Sequence, residues 1–166
     1  MKTRIFLLML LAVSLFSCQK EKNDPATTQD VTFTATQIDP GAGLKGTDVW
    51  GWKCIANLNP DYAEIKLYNA DGSVLVGTFY PLVFRLNGKL YTQAIKLAPG
   101  TYTVDQFLVK DDIGPAGPDA GDPIYMAIPA ASGPYSQYTN PDVRFQFTVL
   151  AFQKLEIPVE VLCFIP

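Results

Sequence analysis

Apolar and polar residues alternate through most of the chain, with the period of a β-strand rather than a helix. Val31, Phe33 and Ala35 interleave with Thr32, Thr34 and Thr36, which predicts a half-buried strand with threonine on its wet face. Val49 to Leu58 repeats the pattern and places Trp50, Trp52, Cys54, Ala56 and Leu58 on one face, so the two tryptophans are assigned to the core. Asn59-Pro60-Asp61 turns the chain, Ala63, Ile65 and Leu67 alternate again, and Asn69-Ala70-Asp71-Gly72 is a second turn. Asn87-Gly88, between strand runs Leu82–Leu86 and Lys89–Leu97, predicts a hairpin with a type I′ turn. After Ala98-Pro99-Gly100, a long strand over Thr101–Lys110 is expected to turn Tyr102, Val104 and Phe107 inward. Ile124–Ile128 is a short strand stopped by Pro129, and Val143–Val149 and Leu155–Phe164 are the last two. Pro158 has no N–H for a ladder, so the final strand is expected to be an edge or to bulge there. No window sustains a 3.6-residue apolar period, and no helix is expected in the domain. About 7–9 short strands separated by turn signals predict an all-β fold. Long polar loops at 111–123 and 130–142 favour a single antiparallel β-sandwich over a meandering barrel.

The N-terminus departs from this pattern. Lys2 and Arg4 precede an apolar run from Ile5 to Phe16 that only Ser14 interrupts. The run is too short to span a bilayer, which takes about 20 apolar residues, and fits a secretory signal. Leu15-Phe16-Ser17-Cys18 resembles the bacterial lipobox, in which Leu, a small or apolar residue and Gly, Ala or Ser precede Cys. Phe16 is bulkier than the usual residue at its place. The resemblance implies that Cys18 carries diacylglycerol on its sulfur and an acyl chain such as palmitate on its new amino group. The competing reading is an ordinary cleaved signal that ends near a cysteine. The expected organisation is a signal over 1–17, a lipid-anchored tether over 18–29 and a β-sandwich over 30–166. Gln19–Gln29 has no large apolar residue, and so nothing to offset the entropy of ordering. Gln19, where some sorting systems read Asp as an inner-membrane retention signal, points to the outer membrane of a Gram-negative envelope.

Charge narrows the choice of partner. The signal carries two of the 13 basic residues and none of the 16 acidic ones, which leaves a net charge of −5 after processing. Such a surface excludes nucleic acid and electrostatic docking on anionic lipid, both of which need clustered Lys and Arg. Membrane attachment is therefore expected through acyl chains on Cys18, each buried methylene contributing about 0.8 kcal/mol.

Leu97-Ala98-Pro99-Gly100-Thr101-Tyr102-Thr103-Val104 resembles a strand-turn-strand element of transthyretin-like and carboxypeptidase-regulatory-like sandwiches. With Phe107, Ile124-Tyr125, Phe145–Val149 and Glu160-Val161-Leu162, the run from Asn69 to Phe164 is also similar to domains of Gram-negative surface lipoproteins. The resemblance implies fold and location, not chemistry, with Leu97 and Tyr102 packed inward on either side of the Pro-Gly turn.

Chemistry is sparse. The chain has no histidine, which removes Ser-His and Cys-His catalysis and most transition-metal sites. It has no nucleophile elbow, phosphate-binding glycine loop or dinucleotide fingerprint. No cofactor is expected. Carboxylates remain as the one catalytic option, since glycosidases need two acids at a fixed separation; Asp105, Glu156 and Glu160 lie on or near strands. Asp111, Asp112, Asp119 and Asp122 share one loop and are weak calcium candidates; their spacing is not that of an EF-hand, and a solvated loop whose aspartates cap turns is the preferred reading, so no metal is expected. Cys54 and Cys163 sit in apolar strand runs of an exported protein, either as a disulfide or as two buried thiols. The loop after Pro129 brings Tyr135, Gln137, Tyr138 and Asn140 together, flat apolar faces beside amides that suit a sugar or a peptide. The alternative is that the tyrosines fold back over the end of the sandwich. The expected function is a lipid-anchored, non-catalytic ligand-binding or adhesion module for a glycan or protein ligand. A structural subunit of a surface assembly such as fimbriae is the alternative, and a carboxylate-based glycan-cleaving enzyme the third reading.

Overall fold

A computed structural model describes residues 27–38, 59–115, 117–133 and 135–163. The strand predicted over Val49–Leu58, with Trp50, Trp52 and Cys54, lies outside these residues, as do the signal and Cys18. The described chain is all-β. Ten strands are β1 (Gln29–Ile38), β2 (Tyr62–Asn69), β3 (Leu75–Phe79), β4 (Val83–Leu86), β5 (Lys89–Thr92), β6 (Ile95–Leu97), β7 (Gly100–Lys110), β8 (Ile124–Ala127), β9 (Gln146–Val149) and β10 (Leu155–Cys163). The helical element among the described residues is one 3-10 turn over Ser136–Tyr138.

The strands form one curled sheet in the order β3-β2-β7-β8-β10-β1-β5-β4, with β6 also on β1 and β9 also on β7. The expectation of purely antiparallel pairing is corrected here. β1 and β10 run parallel, from Val31 beside Leu155 to Ile38 beside Leu162, so the sheet is mixed. Apolar alternation fixes which face a side chain takes but carries no information about strand direction, and these two strands stand at opposite ends of the domain's sequence. The start of β1 also falls earlier than the hydrophobic pattern suggests. Gln29 and Asp30 pair with Leu97 and Lys96 of β6, and their polar side chains leave no apolar signature.

The long strands make the curl possible. β1 pairs β6 through Gln29–Val31 and β5 through Thr34–Ala35. Between those ladders the N–H of Phe33 donates to Thr92 Oγ1 at 2.9 Å, which keeps a buried amide satisfied. The two ends of the sheet meet where Tyr62 bridges Leu82, with Ala63 N donating to Pro81 O and Val83 N to Asp61 O, both at 2.9 Å. Inside the curl Phe33 of β1 packs on Phe107 of β7 with ring centroids 5.5 Å apart, and edge-on to Phe147 of β9 at 6.0 Å. Around them lie Val31, Ile65, Leu67, Val104, Val109, Met126, Val159 and Val161, all buried.

Local expectations hold at the turns. Asn87 (φ 49°) and Gly88 (φ 79°) are both left-handed, as a type I′ hairpin requires. Leu97 and Tyr102 are buried on either side of Pro99-Gly100, and the Tyr102 hydroxyl donates back to Ala98 O at 2.8 Å. Pro158 sits beside Thr34 of β1. β8 reaches β10 only at Leu162 and Cys163, so among the described residues the other flank of Pro158 carries no ladder. The proline thus occupies an edge locally, although β10 is internal in strand order.

Candidate functional site

The loop between β7 and β8 holds the four aspartates, and three of them accept backbone N–H groups of the loop itself. Asp112 Oδ1 accepts from Gly114 N at 3.3 Å and Asp119 Oδ1 from Gly121 N at 2.6 Å. Asp122 Oδ2 accepts from Asp119 N at 2.9 Å and from the Tyr62 hydroxyl at 2.7 Å. These bonds, the Asp119 amide first, hold the Asp122 carboxyl below its ordinary value. Asp111 differs: burial and its neighbour Asp61 push it up, while Tyr125 donates to it at 3.1 Å. Among the described residues no three His, Cys, Asp or Glu side chains gather where they could hold a metal ion. Turn capping accounts for Asp112, Asp119 and Asp122, and the loop folds over the outer face of β2 and β7.

Under that loop lies a buried charge. The Lys110 side chain is 3% exposed and its Nζ donates to Glu64 Oε2 at 3.1 Å and Asp119 O at 2.7 Å. It also stands 5.9 Å from the centre of the Tyr62 ring. Glu64 is completed by Gln106 Nε2 at 3.0 Å. The Lys110 ammonium and both Glu64 carboxylate oxygens are thus spent on structure.

The loop after Pro129 is built differently. Its base is closed by Val143 N on Pro129 O at 3.2 Å and by Arg144 N on Val104 O at 2.6 Å. Its middle is tied to β10 where Asn140 N donates to Glu160 Oε2 at 2.7 Å. Ser136 N and Oγ both donate to Gly133 O, Tyr138 N donates to Tyr135 O, and the 3-10 turn results. Tyr135 is 38% exposed, Gln137 and Asn140 are exposed, and Tyr138 is half-buried. The four residues therefore do share a firm, solvent-facing loop, with Tyr138 partly turned back on the domain.

A second concavity has no counterpart in the sequence reading. Tyr68, Ala70, Asp71, Gly72, Thr103, Asp105, Arg144 and Gln146 enclose about 210 Å³. Tyr68 stands beside Thr103 in the β2–β7 ladder, and Gln146 pairs Thr103 from the other side. Arg144 joins them because its backbone is left-handed, at φ 71°, and its Nε donates to Asp105 Oδ1 at 3.1 Å. Arginine carries no sequence signal for that conformation, and the lining comes from three separate segments.

The carboxylates weighed for catalysis are dispersed: Asp105 serves Arg144 on β7, whereas on β10 Glu156 accepts from Thr34 and Glu160 holds the Asn140 amide. Cys163 is buried and disulfide-bonded, and both other cysteines of the chain lie outside the described residues. No described helix is long and apolar enough to cross a membrane. The chain matches no protein-family profile, and no curated protein is similar to it. Among solved structures it is similar to a leucine-rich repeat protein from Bacteroides thetaiotaomicron VPI-5482, at 16% identity and a TM-score of 0.48. That similarity covers 82% of this chain and 12% of the other, so the chain spans only a small part of that protein's length.

Proposed function

We propose that this chain is a lipid-anchored protein of the cell envelope, in the outer membrane of a Gram-negative bacterium, whose β-sandwich domain binds a glycan or protein ligand and catalyses nothing. The observation that carries the reading is the loop after Pro129, which presents Tyr135, Gln137 and Asn140 to solvent on a backbone tied down at both ends and in the middle. Such preorganisation lowers the entropy that a binding loop loses on capturing its ligand. The transthyretin-like character of the domain is supported by the Tyr102–Ala98 bond that closes the Pro-Gly-x-Tyr element. Its opposed inner faces, joined through Phe33 and Phe107, suit a sandwich.

The loop is tested by Tyr135→Ala/Tyr138→Ala, screened with wild type on glycan and protein arrays. A ring on a sugar face or side chain contributes on the order of 1 kcal/mol beyond area burial, so binding should weaken about tenfold or more. Because Tyr138 is half-buried, the melt should shift by no more than about 1 kcal/mol. A stable double variant with an unchanged array profile would remove this loop as the site. The anchor is tested separately: Cys18→Ser should release the protein from the membrane fraction, and an unacylated mature N-terminus elsewhere would refute it.

A structural subunit is the second reading, favoured by β4. Beyond the bridge that ties Leu82 and Val83 to Asp61 and Tyr62, this strand pairs only with β5 among the described residues, and Phe84 and Leu86 along it are about half exposed. An apolar edge of that kind suits strand addition. Concentration-dependent polymers that Phe84→Lys abolishes would favour it over ligand binding.

A further inference from the structure

We propose that the concavity between β2, β7 and the start of β9 binds one neutral sugar residue, with the Arg144 guanidinium as its central donor. The proposal rests on the reading of this protein as a binding module but is independent of the loop that carries Tyr135.

Four observations support it. The backbone of Arg144 lies in the left-handed region at φ 71°, which disfavours any residue with a Cβ, and Arg144 N donating to Val104 O holds it there. Strain retained at a polar, exposed side chain marks a position where the direction of that side chain matters. Second, Asp105 engages only Nε, and the side chain is 78% exposed. The two terminal amino groups of the fork thus make no hydrogen bond among the described residues, and Arg144 lines the open volume. Third, a second carboxylate, Asp71, lines the same concavity. Hydrogen bonds from Ser73 hold the Asp71 carboxyl below its ordinary value, so it is ionised near neutral pH. Gln146 Nε2 and Thr103 Oγ1 both donate to Ala70 O, which fixes these side chains on the floor. Fourth, the half-buried Tyr68 supplies an aromatic wall, and a Cβ placed on Gly72 would meet nothing within 4 Å, so the mouth is open.

Charge and size choose the ligand. One guanidinium stands against two carboxylates, Asp71 and Asp105, so the site carries a net negative charge and opposes phosphate, carboxylates and uronic acids. A hydroxyl both donates and accepts, and adjacent hydroxyls on a ring can bridge a guanidinium and a carboxylate together. The volume of about 210 Å³ is below the roughly 300–1,000 Å³ of pockets for larger ligands, and holds about one pyranose ring.

The test is saturation-transfer NMR and titration of the purified, processed protein. The probes are methyl glycosides of glucose, galactose, mannose and N-acetylglucosamine, with methyl glucuronide and inorganic phosphate beside them. At least one neutral glycoside should bind. Arg144→Gly removes the fork and relieves the left-handed backbone, so it should weaken binding at least tenfold with an unchanged or raised melting temperature. Arg144→Lys, which keeps the charge but not the fork, should also weaken it, and Tyr135→Ala/Tyr138→Ala should not. Binding of glucuronide or phosphate alone, binding that survives Arg144→Gly, or no response to any probe would overturn the proposal. Loss in the tyrosine variant but not in Arg144→Gly would also overturn it, and would assign the sugar to the loop instead.

Discussion

Lys110→Ala is expected to destabilise the domain by about 3–5 kcal/mol, among the largest effects of any single substitution outside the apolar core. The reason is what the lysine leaves behind. Its ammonium, 3% exposed, satisfies Glu64 and the Asp119 carbonyl at once, and the loop bearing Asp119 and Asp122 closes over it. Without it Glu64 keeps only the Gln106 amide, and a carboxylate stays in a site from which most water is excluded. The Asp119 carbonyl keeps only a long bond of 3.4 Å from the Tyr62 hydroxyl. Urea denaturation measures the loss directly. A double variant, Lys110→Met/Glu64→Gln, should recover more than half of it, because it removes both charges instead of orphaning one. A single variant that costs less than about 1 kcal/mol would show that the pair behaves as an exposed one.

This cluster also marks where sequence reading stops. Lys110 ends a strand whose alternation is plain, so a lysine there reads as a solvated terminus. Its burial depends on the 111–123 loop returning over β2, a tertiary event that no local pattern records. Side-chain facing was legible: Val31, Phe33, Ala35, Ala63, Ile65 and Leu67 are all buried as their spacing requires. So was turn chemistry, since Asn87-Gly88 specifies its own backbone. Direction and partnership were not. The parallel β1–β10 pair is set by how the whole sheet closes, and either direction buries the same side chains.

The two candidate sites divide along the same line. Tyr135, Gln137, Tyr138 and Asn140 are neighbours in sequence, so a loop flanked by Gly and Pro made them visible together. Tyr68, Asp71, Asp105 and Arg144 come from three segments that only the β2–β7–β9 ladders bring side by side. The one local clue to the second site, a left-handed Arg144, has no residue preference to announce it.

Reduction of the protein is expected to lower its stability by roughly 4–5 kcal/mol. Cys163 is disulfide-bonded at the buried end of β10, beside Met126 of β8. If Cys18 is acylated as proposed, its thiol is consumed and Cys54 is the expected partner. That bridge closes a loop of about 110 residues, and the chain-entropy model gives about 4.7 kcal/mol for a loop of 100. For a domain of this size the melting temperature should fall by roughly 10–20 °C on reduction. Cys54→Ala and Cys163→Ala should each reproduce the fall, and neither should shift further with reductant. Peptide mapping under non-reducing conditions identifies the partner: a fragment joining Cys54 to Cys163 is expected. A fragment joining Cys18 to Cys163 would refute both this assignment and acylation of the Cys18 sulfur, because one thiol cannot carry a lipid and a bridge. The redox behaviour of Cys163 and the membrane fractionation of Cys18→Ser therefore test a single allocation of three cysteines, one to the lipid and two to the fold.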